Sequence, residues 1–206
     1  MKSKLLLLGG VSCVGKTSLC KQISDMHGWQ HLRIHPYVLN LARKEGISDL
    51  NEHWNSLVYK IVPELVEDIQ NYSGCCIDIH FAVQPKYDTS YALGLDVEED
   101  INEPYEKGLC DEFFQNAKLN ELEVSSILLE SEASEILCRR EKLTQIRKPR
   151  SVNIESIKRE TYYENLYFKL ASDIMKKYVG GKSYILNNKE GYFEDTTKKS
   201  LEFLIK

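Results

Sequence analysis

A short apolar run that ends in glycines is the feature that most constrains how this chain folds. Lys4–Leu8 contains four consecutive leucines and runs directly into Gly9 and Gly10. Such a run is typical of a strand that is buried on both faces of a parallel sheet. The residues after the turn, Lys16–Met26, have helix-forming composition up to Gly28. The start of the sequence therefore predicts a buried strand, a glycine-rich turn and a helix.

The turn itself carries a phosphate-binding pattern. Residues 10–17 read GVSCVGKT and match G-x-x-x-x-G-K-[ST] at every fixed position. Glycines let successive backbone N–H groups point at a phosphate, and the helix beginning near Gly15 adds its positive end. In this pattern the lysine, Lys16, reaches the β- and γ-phosphates, and the hydroxyl of Thr17 ligates Mg²⁺.

The pattern thus predicts that the chain binds ATP and Mg²⁺, the alternative being a strand–helix turn that holds no ligand. The predicted nucleotide contacts are Gly10, Val11, Ser12, Cys13, Val14, Gly15, Lys16, Thr17 and Ser18.

Length and composition favour one α/β domain and exclude several classes of protein. The chain has 206 residues, of which 42% are hydrophobic and 28% charged, and no segment is low-complexity. Its longest apolar run is the four leucines, whereas a membrane span needs about 20 apolar residues. We therefore expect no membrane span, no secretory signal and a cytoplasmic protein. The six cysteines form no CxxC pair, so small buried thiols are favoured over disulfides or zinc.

Charge is distributed unevenly along the chain. The formal net charge is −4, but residues 51–125 carry 16 acidic and 4 basic side chains between two basic flanks. An acidic middle disfavours general nucleic-acid binding and leaves room for a compact anionic ligand held by the flanks.

Beyond the turn, apolar runs alternate with helical patterns. This alternation predicts a parallel sheet with helices on both faces. The further predicted strands are Trp29–His35, Cys75–Phe81, Val124–Leu129 and Ser183–Leu186. The further predicted helices are Val38–Lys44, Trp54–Tyr72, Glu112–Asn120, Ala133–Arg140, Ile154–Tyr178 and Phe193–Ile205.

One segment, Gln84–Asp111, does not fit the alternation. It contains prolines and glycines, and eight carboxylates lie between Asp96 and Glu112. Its composition predicts an irregular acidic insert, over residues 82–111, that continues into a short helix. The insert is interpreted as a solvated flap or as a surface for a protein partner.

A carboxylate and a histidine lie near the end of the Cys75–Phe81 run. Ligands of open α/β sheets bind at the carboxyl ends of the strands, so Asp78 is predicted to orient Mg²⁺ together with Thr17. The alternative is that Asp78 caps the next loop. His80 lies two residues further and points to the same side of a strand, so it is predicted to be functional rather than a hydrogen-bonded core residue.

A basic loop is predicted over Glu141–Val152, after the helix that ends at Arg140. Arginines that close over a transferring phosphoryl group stabilise its charge and exclude water, whereas most basic loops are only solvated. The basic residues here are Arg139, Arg140, Lys142, Arg147, Lys148 and Arg150, against the single acid Glu141.

Across nearly its whole length the sequence resembles the archaeal-type adenylate kinases, within the P-loop nucleoside monophosphate kinases. The resemblance is carried by the segments KLLLLGGVSCVGKTSL, ARKEG, IDIH, ILLESEASEILCRR and ILNNKEGYFED. It implies one P-loop kinase domain over residues 1–206, with five parallel strands that, numbered along the chain, lie in the order 2-3-1-4-5 in the sheet. Acceptor-binding helices would span residues 36–72, and an arginine-bearing lid would span residues 139–153.

The resemblance also implies roles for individual residues. Lys16, Thr17 and Asp78 would surround Mg·ATP, with His80 facing both substrates. Arg139 or Arg140 would lie on the adenine side and Asn187–Asn188 at the base. Arg147 and Arg150 would contact the phosphates. The implied reaction is phosphoryl transfer from ATP to a nucleoside monophosphate, with AMP as the default acceptor.

Two other functions remain open, because the acceptor side departs from that family's pattern. The longer Phe81–Asp111 replaces a compact element, and Ser56–Glu64 contains only Lys60 where an arginine is expected. One alternative is a P-loop kinase that acts on another small molecule or on a nucleic-acid end. The other is a switch or assembly factor that binds ATP and hydrolyses it weakly.

Overall fold

The strands of the computed structural model, which describes residues 2–81, 105–144, 153–189 and 193–205, form one parallel sheet. They are β1 (Lys4–Gly9), β2 (Gln30–Leu32), β3 (Gly74–Asp78), β4 (Glu123–Glu130) and β5 (Lys182–Asn187). Their order in the sheet is β2-β3-β1-β4-β5, and every pair is parallel. The predicted sheet and its strand order are confirmed.

Helices cover both faces of this sheet. They are α1 (Lys16–His27), α2 (Ile34–Glu45), α3 (Leu50–Gln70), α4 (Tyr105–Leu119), α5 (Ala133–Thr144), α6 (Ile154–Val179) and α7 (Phe193–Ile205). Among the residues that the structure describes, no helix is long and apolar enough to cross a membrane.

The leucine run of β1 explains why helices pack on both sides. Successive side chains of a strand point to opposite faces. Leu5 and Leu7 therefore pack with α3, α4 and α6, whereas Leu6 and Leu8 pack with α1 and with residues of α5, α6 and β5. All four are almost completely buried, and full burial of a leucine side chain is worth about 1.5–3 kcal/mol. β1 is thus the centre of the core, and its carboxyl end delivers the chain to the glycine-rich turn.

The boundary after β2 differs from the prediction. A strand was expected over Trp29–His35, with Pro36 as its stop, but β2 ends at Leu32 and α2 begins at Ile34. Proline is tolerated in the first turn of a helix because the N–H groups there have no partner within the helix. Pro36 is therefore part of the start of α2, and the predicted second half of the strand is wrong.

Three further boundaries are corrected. β3 ends at Asp78, so His80 lies beyond the strand that was expected to reach Phe81. α4 begins at Tyr105, inside the segment predicted to be irregular up to Asp111. α5 extends to Thr144, so the first residues of the predicted basic loop are helical. Residues 82–104 of the acidic insert and residues 145–152 of the predicted lid lie outside the described residues.

Candidate functional site

The turn after β1 has the backbone geometry of a phosphate cradle. Gly10 and Gly15 have φ values of +133° and +111°, which non-glycine residues rarely adopt. A Cβ at Gly10 would lie 2.4 Å from the backbone oxygen of Leu129, and one at Gly15 would lie 2.5 Å from Nδ2 of Asn188. Both positions therefore require glycine, because the positive φ disfavours other residues and because another segment of the same chain lies too close for a Cβ.

Lys16, the first residue of α1, is turned back over this loop. Its side chain is buried, and Nζ donates to the backbone oxygen of Gly10 and, over 3.2 Å, to that of Val11. Nζ also lies 3.5 and 3.4 Å from the Nδ1 and Nε2 atoms of His80. The cationic end of Lys16 is therefore held within the cradle by the protein itself.

Thr17 and Asp78 lie directly against each other beside the cradle. The hydroxyl of Thr17 donates to Oδ2 of Asp78 over 2.5 Å, and Nε2 of His31 lies 3.3 Å from Oδ1. Burial on its own would raise the pKa of Asp78, but the contacts with His31 and Thr17 and the charge of Lys16 outweigh it and lower that pKa to about 2. The site thus holds an ionised carboxylate next to a hydroxyl oxygen.

A contact with helix α6 holds His80 beside Lys16. Its Nδ1 lies 2.7 Å from Oε1 of Glu164, a buried residue of α6, and the backbone N–H of Phe81 donates to the other carboxylate oxygen over 2.8 Å. The structure therefore places Lys16, Thr17, Asp78 and His80 together, as the sequence predicts.

Arg139 and Asn188 meet on the far side of the cradle. Arg139 donates to the backbone oxygens of Val14 and Asn188 over 3.3 and 3.1 Å. The side-chain amide of Asn188 also donates to Val14 O, over 2.6 Å. These two predicted nucleotide contacts therefore brace the loop as well as lying beside it. Asn187 is exposed at the end of β5, and Ser18 is exposed in the first turn of α1.

Arg140 occupies a different environment from Arg139. It is 2% exposed, and its guanidinium forms a two-pronged pair with Glu160 of α6, with N···O distances of 3.0 and 2.6 Å. One of its nitrogens also lies 3.5 Å from the backbone oxygen of Ser12 in the cradle. Arg140 therefore links α5, α6 and the loop from inside the protein.

We expect Glu160→Gln to lower the free energy of unfolding by about 3 kcal/mol, because it removes the carboxylate charge that forms the two-pronged pair with the buried guanidinium of Arg140. Urea unfolding measures this. The matched control is Lys158→Met, which breaks the exposed pair of Lys158 and Glu155 on the same helix and should change stability by less than about 1 kcal/mol. Equal losses in the two variants would show that the Arg140 pair contributes no more than a surface pair.

Three residues of the site are absent from the sequence prediction. They are His31, Glu160 and Glu164, and each contacts a predicted residue. A signal was present for Glu164, because it lies four residues before Phe168 and seven after Ile157, on the apolar stripe of an amphipathic helix. A carboxylate in such a stripe indicates a buried partner. Arg147 and Arg150 lie outside the described residues.

Comparison with known proteins shows the fold. No family model matches the sequence, and no curated protein matches it. A shikimate kinase from Bacteroides thetaiotaomicron is similar in structure, with 11% identity, a TM-score of 0.58 and 98% of each chain covered. A shikimate kinase from Acinetobacter baumannii, solved in complex with shikimate, has 13% identity and a TM-score of 0.53, over 98% of this chain and 92% of that one.

A third similar structure is a gluconokinase from Sinorhizobium meliloti, with 12% identity and a TM-score of 0.50, over 98% of this chain and 91% of that one. At such identities the likeness establishes the architecture. The chain has the P-loop kinase fold, as predicted. The finer resemblance to adenylate kinases is not found among these structures and stays a prediction.

Proposed function

We propose that this chain is a kinase that transfers the γ-phosphoryl group of ATP to a small acceptor in the presence of Mg²⁺. The observation that carries the proposal is the arrangement of Lys16, Thr17 and Asp78 around one glycine-framed turn. It gives a cation for phosphate oxygens beside a hydroxyl and an ionised carboxylate.

The residues of the site fit both ATP and Mg²⁺. In the cradle, the buried hydroxyl of Ser12 has no hydrogen-bond partner among the described residues, so it offers a donor to a phosphate oxygen. In the described part of the chain, no three His, Cys, Asp or Glu side chains cluster as metal ligands. Mg²⁺ suits such a site, because it is commonly held by one or two protein oxygens together with substrate phosphates and water.

Thr17 and Asp78 would hold the ion, which when bound neutralises the phosphate charge. In the transfer, an oxygen of the acceptor bonds to the γ-phosphorus while the bond from that phosphorus to the bridging oxygen breaks. The bridging oxygen keeps the electron pair, and ADP leaves. Lys16 must release its contacts with the loop carbonyls to reach the phosphates, and the hydrogen bonds that it gains there replace those that it loses.

Because the sequence resembles the adenylate kinases, the default acceptor is a nucleoside monophosphate, and AMP is the first candidate. A second candidate is a small molecule that carries a hydroxyl group. His80 favours it, because a hydroxyl must lose a proton as it attacks, and a histidine oriented by a carboxylate is a suitable acceptor for that proton. An ionised phosphate acceptor has no such proton. Two of the similar structures are named as shikimate kinases.

The test is an acceptor panel with the purified chain, ATP and Mg²⁺. The panel contains AMP, the other nucleoside monophosphates, nucleosides, shikimate, gluconate and an oligonucleotide with a free 5′ hydroxyl. Phosphorus NMR identifies the phosphorylated product, and Lys16→Ala controls for contaminating kinases. ADP that appears only with an acceptor supports the proposal. ADP formed at the same slow rate with every acceptor and with none would contradict it and favour a nucleotide-dependent switch.

The predicted lid gives a further test. We expect Arg147→Ala and Arg150→Ala to lower kcat by about 10²-fold and to change the KM for ATP much less, because such arginines act on charge that develops in the transition state. Lys148→Ala is the matched control in the same segment. Losses that are similar in all three variants and fade at high salt would show that the segment only attracts the nucleotide.

A further inference from the structure

Glu164 carries a carboxylate on the buried face of α6, where an amphipathic helix normally has apolar side chains. It is 1% exposed, on the stripe of α6 that also presents Ile157 and Phe168 to the core. Burial of a carboxylate costs several kcal/mol unless the charge is paired and hydrogen-bonded. Two hydrogen bonds offset part of this cost, because the carboxylate oxygens of Glu164 contact Nδ1 of His80 and the backbone N–H of Phe81, two adjacent residues that follow β3.

The second of these contacts connects Glu164 to the start of the cradle. The ring of Phe81 lies against Gly9, where a Cβ would come within 2.0 Å of the ring carbon Cε2. The same ring packs edge-on against Phe168, one helical turn beyond Glu164, with 5.0 Å between the centroids. Glu164 and Phe168 together hold the backbone and the ring of Phe81 on the last residue of β1.

The first contact determines which nitrogen of His80 carries the hydrogen when the ring is neutral. A carboxylate only accepts, so Nδ1 must be the N–H nitrogen and Nε2 the acceptor. Lys16 Nζ lies at nearly equal distances from both nitrogens. If Nζ lay in the plane of the ring at 3.5 and 3.4 Å from the two nitrogens, it would overlap Cε1, the ring carbon between them. The ammonium group of Lys16 therefore lies above the plane of the ring. A neutral ring at that position is compatible with the charge of Lys16.

We propose that Glu164 is a positioning residue of the phosphate site, which sets the tautomer of His80 and seats Phe81 against the cradle. The contacts described for Glu164 are with His80 and Phe81 and not with the residues of the cradle, so it acts through these two neighbours. Its effect on catalysis rests on the proposed kinase function, whereas its effect on His80 and Phe81 does not.

The variant Glu164→Gln separates the two contacts. The glutamine oxygen can still accept from the N–H of Phe81, but its NH₂ group can only donate to Nδ1. His80 is then expected to carry its hydrogen on Nε2. Long-range ¹H–¹⁵N spectra of the histidine rings in alkaline buffer measure the tautomer in the wild-type chain and in the variant. Hydrogen exchange of the Phe81 amide is expected to stay slow in both.

The kinetic readout uses the acceptor found in the panel. Glu164→Gln is expected to lower kcat by about 10–100-fold, a loss of the size found when a residue that orients a metal ligand is replaced, and to change the KM for ATP by about twofold or less. If Glu164 acts through His80, the same substitution made in a His80→Ala background should cause little further loss. The matched control is Asn165→Ala, which removes a 2.6 Å contact between α6 and Glu130 of β4. It is expected to cost stability and to leave kcat within about twofold of the wild-type value.

Three results would overturn the proposal. They are a wild-type His80 with its hydrogen on Nε2, an unchanged tautomer in Glu164→Gln, and losses of kcat that multiply in the double variant. If the wild-type chain phosphorylates no acceptor, the proposed function fails. The tautomer and the exchange of the Phe81 amide then still decide whether Glu164 positions these residues, and the wild-type spectrum does so even if the variant does not fold.

Discussion

Replacing Lys16 with alanine is expected to lower kcat by at least about 10³-fold and to leave the fold intact. A donor placed where charge develops in the transition state is worth about 10²–10³ in rate, and a full positive charge on the transferring group is worth at least as much. The polar contacts of Lys16 described above are with loop carbonyls and His80, and Lys16 is not one of the apolar side chains that form the core clusters around β1. Circular dichroism and urea unfolding would check the fold, and coupled ADP detection the rate.

Lys21→Ala is the matched control for Lys16→Ala. Lys21 lies on the same helix, is exposed, and carries the same charge. Its removal should leave kcat and the KM for ATP within about twofold. A Lys16→Ala variant that kept more than about a tenth of the wild-type rate would contradict the assignment of the cradle.

The start of the fold could be predicted because its determinants are local. Leu5–Leu8 specify a strand buried on both faces, and the conformations at Gly10 and Gly15 need residues without a Cβ. Lys16 and Thr17 occupy the first turn of the next helix, so their place beside the loop follows from their position in the chain. Asp78 was predictable for a similar reason, since it lies at the end of a local apolar run and ligands of such sheets bind at the carboxyl ends of the strands. The structure pairs it in register with Leu8, the residue before the end of β1.

The contacts that organise this site could not be predicted in the same way. Glu164 lies 84 residues after His80 along the chain, and Glu160 lies 20 residues after Arg140. Neither pairing is visible in a local pattern, because each depends on how α6 crosses the carboxyl ends of the strands. From the sequence alone, Arg139 and Arg140 could not be told apart, and either was expected on the adenine side. Adjacent residues of a helix point about 100° apart, so on α5 Arg139 faces the loop whereas Arg140 is buried.

Replacing Asp78 with asparagine is expected to lower kcat by about 10²–10³-fold and to raise the Mg²⁺ concentration that gives half-maximal rate. The amide can still accept the hydrogen bond from Thr17, but it supplies no negative charge to a cation. Binding of ATP without Mg²⁺ should change by a few-fold at most. The control is Asp68→Asn, since Asp68 also accepts a hydroxyl hydrogen bond, from Tyr37, away from the cradle.

The low pKa of Asp78 adds a pH dependence to this comparison. Because the pKa is about 2 in the folded chain, below the ordinary value of 3.8, the ionised form stabilises the fold above about pH 4. That contribution is lost as the pH falls from about 4 to about 2. In a His31→Gln background, where no imidazole beside Asp78 can titrate, the difference in free energy of unfolding between the chain that keeps Asp78 and its Asp78→Asn variant should therefore be constant from about pH 8 to 5 and should change only below about pH 4. A change between pH 5 and 8 in that background would mean that Asp78 titrates in the folded chain near neutrality, and it would then lack the permanent charge that the proposed role in holding Mg²⁺ requires.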